Sequence, residues 1–90
     1  MNLPTVDCAR AVRDGGIDAM AALDHALNRA VATLPAESRQ ALTHAFGQVM
    51  GHITHDIIQP AVRAFPELDP DEATWAEVAR ARAVERSNAV

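Results

Sequence analysis

The chain has 90 residues, enough for one small domain and no more. Apolar residues make up 49% of it, but 19 of them are alanine, and Leu, Ile, Val and Phe together number only 20. A net charge of −4 with no lysine argues against a grip on nucleic-acid phosphates, and a single cysteine excludes an internal disulfide framework or a multi-cysteine zinc site.

Alanine is the strongest helix former, glycine is scarce, and no window alternates apolar with polar residues. The composition therefore predicts an all-α fold: a small helical bundle built on a central antiparallel helical hairpin with short flanking helices. So little large apolar side chain in so short a chain makes a thin monomer core, which dimerisation would complete. Alanine richness with arginine as the only basic side chain reads as a GC-rich bacterial coding bias. Asp7, Arg10, Arg13 and Asp14 interrupt what would be the apolar stretch of a secretory leader. The charge-free run from Gln40 to His55 is too short and too rich in histidine to span a bilayer. A reduced, cytoplasmic setting is the expectation.

In chain order, residues 4–14 predict a short helix with Pro4 in its first turn and Cys8, Ala11 and Val12 on one side. Cys8 on that apolar side reads as an inert thiol. Gly15-Gly16 ends or hinges this helix. Residues 17–34 predict a strong helix, with Met20, Leu23, Leu27, Val31 and Leu34 within about 80° of one another. Asp24 lies at the edge of that stripe. Residues 36–59 carry the cleanest pattern: Leu42, Phe46, Val49, Met50, Ile53 and Ile57 fall within about 100°. Pro60 kinks or ends that helix, and residues 61–65 add a short helix or a continuation of it. Asp69-Pro70-Asp71-Glu72 reads as a helix start with Asp69 as the cap, leading into a last helix over 70–86 with Trp75, Val78 and Ala79 inward. Ser87 to Val90 would fray.

Four features are candidate sites. On the 36–59 helix His44, Gln48, His52, His55 and Gln59 share a face opposite the apolar stripe. His52 with His55 and His52 with Asp56 have spacings that can bring two ligands to one divalent transition metal such as zinc. His44 is about 12 Å of helix rise from His52, so a further ligand would come from His25 or from His44 of a second subunit. Without metal the same face is a solvated polar surface, and no cofactor is then expected. Gly47 and Gly51, four apart in a well-patterned helix, point to close approach of another backbone. Glu67, Asp69, Asp71 and Glu72 form an acidic run that serves helix-start chemistry or docks an Arg-rich partner. Trp75 is a local core anchor or an interface hot spot.

Residues 32–42, Ala-Thr-Leu-Pro-Ala-Glu-Ser-Arg-Gln-Ala-Leu, resemble the lead-in to the DNA-binding region of sigma-type factors. That resemblance implies a turn and a basic recognition helix next. Here the helix instead runs on through Gly47, His52 and His55 to Pro60, so the family pattern stops at Leu42.

Neither serine sits in a nucleophile elbow, no glycine-rich phosphate loop exists, and no Glu-x-x-His pair suggests a di-iron bundle. The sequence therefore reads as a non-enzymatic interaction protein, an adaptor or regulator, with itself as a homodimer and another protein as partners. Its interface would use Gly47, Gly51, Leu42, Phe46, Met50, Ile53, Ile57 and Trp75. Metal binding through His52, His55, Asp56, His25 and His44 is the alternative. DNA binding through Arg80, Arg82 and Arg86 is a distant third, and no membrane association is expected.

Overall fold

A computed structural model describes residues 1–88, which are mostly helical with no strand among them. The elements are α1 (Val6–Val31), α2 (Ala36–Ile53), a π-helical turn (Thr54–Ile58), α3 (Gln59–Ala64), a 3-10 turn (Pro66–Leu68) and α4 (Glu72–Asn88).

Thr5 begins α1, its Oγ1 accepting a hydrogen bond from the Cys8 amide at 3.1 Å. The two helices expected over 4–14 and 17–34 are one, and Gly15-Gly16 lies inside it without a break. Glycine costs about 1 kcal/mol against alanine in a helix, but that preference is a weak prior beside packing. The packing reason is Gly16. A Cβ there would stand 2.6 Å from Ile58 Cγ1 and 3.3 Å from Ile57 Cγ2, so the bare backbone is what admits the facing helix. Gly15 has open space around it.

A short turn after Val31 carries the chain into α2, with the Arg39 Nε donating to the Leu34 carbonyl at 2.7 Å. Pro60 does not stop the helical path. It lacks the N–H that would bond the Asp56 carbonyl, and its ring crowds that carbonyl. The preceding residues widen into a π turn, closed by the Gln59 amide on the Thr54 carbonyl, and α3 continues to Ala64. The Thr54 hydroxyl bonds back to the Met50 carbonyl at 3.1 Å at the same bend. The wider turn brings Ile57 and Ile58 together against Gly16, where a regular 3.6-residue repeat aims only Ile57 inward.

Phe65, at φ −140° and ψ 89°, leaves the helical region and ends α3 before Pro66. The last helix starts at Glu72 rather than residue 70: Asp71, not Asp69, is the residue whose carboxylate accepts from the Thr74 amide, at 2.8 Å. Ser87 and Asn88 remain helical, while Ala89 and Val90 lie outside the described residues.

The chain from Thr54 to Ala61 runs against α1 in the opposite sense, Thr54 facing Met20, Ile58 facing Gly16, and Ala61 packing with Ala9. Both α2 and α4 pack on α1 and hardly on each other. An Arg86–Asp18 ion pair ties the end of α4 to α1.

Burial is concentrated at one end. Ala9, Ala61 and Leu68 form its centre, with Leu3, Val6, Val12 and Phe65 packed around them; Ile17 and Ile58 are buried as well. Arg13 is 8% exposed within this end. Its guanidinium bonds Asp14 at 2.8–2.9 Å and the Leu68 carbonyl at 3.0 Å, fastening the 3-10 turn to α1. Neither α2 nor α4 buries a residue, so the stripe residues Leu42, Phe46, Met50 and Ile53 are half-buried and Val49 is exposed. The radius of gyration is 14.8 Å, against about 12 Å for a compact chain of this length. The accessible surface is 6006 Å², about 900 Å² above the roughly 5,100 Å² typical of this mass.

The closed end makes its stability sensitive at two residues. Gly16→Ala overpacks Ile58 and, after its helix-propensity gain, lowers unfolding free energy by about 1–2 kcal/mol, whereas Gly15→Ala raises it by up to about 1 kcal/mol; urea titration followed by circular dichroism separates the two. Arg13→Ala strands the Leu68 carbonyl and the half-buried Asp14, lowering stability by about 2–4 kcal/mol in the same assay.

Candidate binding cleft

Beside the closed end, one turn of α1 beyond Gly16, the gap between α2 and α4 over α1 forms a cleft of about 440 Å³. Met20, Ala21, Met50, Trp75, Ala76 and Ala79 give it apolar walls. Asp24 and Glu72 are the two polar residues lining it, and both are exposed. The helical repeat places these side chains simply: Met20, Ala21 and Asp24 lie on one face of α1, and Glu72, Trp75, Ala76 and Ala79 on one face of α4.

The arginines of α4 are paired away from the cleft. Arg80 pairs with Glu77 at 2.7 Å, Arg82 reaches Glu85 at 3.9 Å, and Arg86 pairs with Asp18. Each member of the trio named for DNA binding thus has a carboxylate within 4 Å. Among the described residues neither Asp24 nor Glu72 has a cationic partner, and Glu67, Asp69 and Asp71 have none either.

The candidate interface residues divide. Met50 and Trp75 both line the cleft. Leu42, Phe46, Ile53 and Ile57 are half-buried along α2 and the π turn. Gly47 and Gly51 are exposed, and a Cβ at either would meet nothing within 4 Å, so the close approach expected there is not made within the chain; Gly16 makes it instead. The signal for Gly16 was present in its register with Ala9, Arg13 and Ile17 on one face of α1, but the Gly-Gly pair reads more readily as punctuation.

On the histidine face the structure brings three of the five proposed ligands together. Asp56 accepts from His55 Nδ1 at 2.9 Å and lies 3.4 Å from His52 Nδ1, all three side chains being exposed. The hydrogen bond from His55 is the main cause that lowers the Asp56 carboxyl below its usual range. His25 and His44 are exposed on their own helices and join neither. Among the described residues no group of three His, Cys, Asp or Glu side chains is arranged to hold a metal ion. No helix among the described residues is long and apolar enough to cross a membrane.

No protein-family model matches this chain, and no curated protein or solved structure is significantly similar to it.

The cleft wall depends on α4 being wound from its first turn. Hydrogen bonds from Thr74 hold the Asp71 carboxyl below the usual range. A carboxyl lowered on folding stabilises the fold above its unfolded pKa, and that contribution is lost as pH falls through the folded value. Helicity of α4 is thus expected to decline below about pH 4. Asp71→Asn, which caps without titrating, should remove that part of the acid transition as followed by circular dichroism, and Asp71→Ala should lower helicity already at neutral pH.

Proposed function

We propose that this chain is a non-enzymatic interaction protein, an adaptor or regulator that holds another polypeptide in the cleft between α1, α2 and α4. The observation that supports this reading best is the cleft itself: Met20, Met50 and Trp75 remain half-exposed around an apolar gap in a chain too small to leave such surface bare without cost. Tryptophan is enriched at interface hot spots, and methionine adapts its shape to what it meets. Among the described residues, the titratable side chains lining it are the carboxylates of Asp24 and Glu72.

Self-association is a second reading, favoured by the surface excess of about 900 Å², which is close to what one partner contributes to a standard interface. Gly47 and Gly51 offer an edge of α2 onto which the backbone of a second copy can close.

A photo-crosslinking residue tests both. Placed at Ala76 in the cleft, in cells that express the protein, it should give a discrete adduct with one other polypeptide; placed at His44 on the outer face of α2, it should not. An adduct of twice 9.6 kDa at Ala76 would assign the cleft to a second copy. Equal, diffuse labelling from both positions, or none from either, would overturn the cleft reading.

A further inference from the structure

The cleft has a shape and a charge that narrow what fills it, provided it is a polypeptide site as proposed above. Its walls are two helices, α2 and α4, that lean on α1 and leave a trough between them. A rod laid in such a trough touches all three helices, as a fourth helix does in a bundle, and helices pack at spacings of about 8–10 Å. A strand would present unpaired backbone groups to walls made only of side chains, with no sheet edge to receive them.

The charge is one-sided. Asp24 on α1 and Glu72 on α4 line the apolar trough, and neither has a cation among the described residues. The exposed carboxylates of Glu67, Asp69 and Asp71 precede Glu72 in the chain and extend the negative field from the same end of α4. A second copy of this chain is the weaker complement: it carries −4 overall, the arginines of its α4 are paired with Glu77, Glu85 and Asp18, and the arginines left without a carboxylate among the described residues, Arg29, Arg39 and Arg63, lie on three different helices. We infer that the occupant of the cleft is a cationic amphipathic helix of another protein, with large aliphatic side chains set between Met20, Met50 and Trp75 and with Arg or Lys flanking them to meet Asp24 and Glu72.

The chain reports on its own occupancy, because Trp75 is its sole tryptophan and lines the trough. The probes are three tryptophan-free helical peptides with the same leucine face and with Lys, Gln or Glu on their polar flanks. Added to the full chain, the Lys peptide should shift Trp75 emission to the blue and bind more tightly than the Glu peptide. Its advantage should shrink at high salt. Asp24→Asn/Glu72→Gln should weaken the Lys peptide by about threefold to tenfold and leave the Gln peptide unchanged. Asp24→Lys/Glu72→Lys should reverse the preference toward the Glu peptide. Both pairs of substitutions are at exposed positions, and circular dichroism checks that the fold is kept.

Equal binding of all three peptides would overturn the charge inference and leave the apolar cleft standing as a docking site. A Lys-peptide affinity that ignores Asp24 and Glu72 would place the binding outside the cleft and overturn it as well. No change in Trp75 emission with any peptide would overturn both this inference and the cleft reading on which it rests.

Discussion

The contact between Gly16 and Ile58 governs how the rest of the molecule is arranged. Only a residue without a Cβ lets the π turn approach α1 so closely, since a methyl at Gly16 would stand 2.6 Å from the isoleucine. That approach sets Ala61 against Ala9 and brings Leu68 down onto the same end, where Arg13 fixes it through the Leu68 carbonyl. The closed end thus combines Ile17, Ile58 and Leu68 with the small residues Ala9, Gly16 and Ala61 and one buried arginine. This suits a chain in which alanine is the commonest apolar residue.

Closing that end leaves the space beside it open. Where α1, α2 and α4 continue beyond Gly16 and Ile58, no residue of α2 or α4 becomes buried. The helices are held by half-buried stripes and by an Arg86–Asp18 pair, and the space between α2 and α4 is the Met- and Trp-lined cleft. Core and cleft differ in how closely the helices approach: Gly16, Ala9 and Ala61 let them touch at the closed end, while Met20, Met50 and Trp75 stay half-exposed around the gap. The electrostatics divide in the same way, with arginines paired along α4 and unpaired carboxylates at the cleft.

Much of the helical content was legible. The start of α2 at Ala36 follows from Pro35 and an early glutamate, and α1 and α2 do pack together. Two boundaries misled, each for a physical reason. Gly15-Gly16 carries the local signature of a break, yet Gly16 is retained for what lies across from it in space. Pro60 carries the signature of a stop, yet a π turn absorbs the crowded carbonyl and lets the path continue. Of the candidate interface residues, Met50 and Trp75 are brought to one cleft, but Met20, Asp24 and Glu72 could not be joined to them from helical periodicity, which relates only residues on the same helix.

Composition and the 3.6-residue repeat therefore determined by themselves that this chain is all-helical, where its apolar stripes lie, and that its large side chains are too few for a full core. Those properties depend on the local backbone and on residue counts, which the sequence states directly. The tertiary structure alone decided that α1 runs unbroken past Gly16, that Arg13 is buried, and that the open volume falls beside Trp75. Each of these depends on a contact between residues distant in the chain, and the energy of such a contact belongs to the pair and cannot be read from either partner alone.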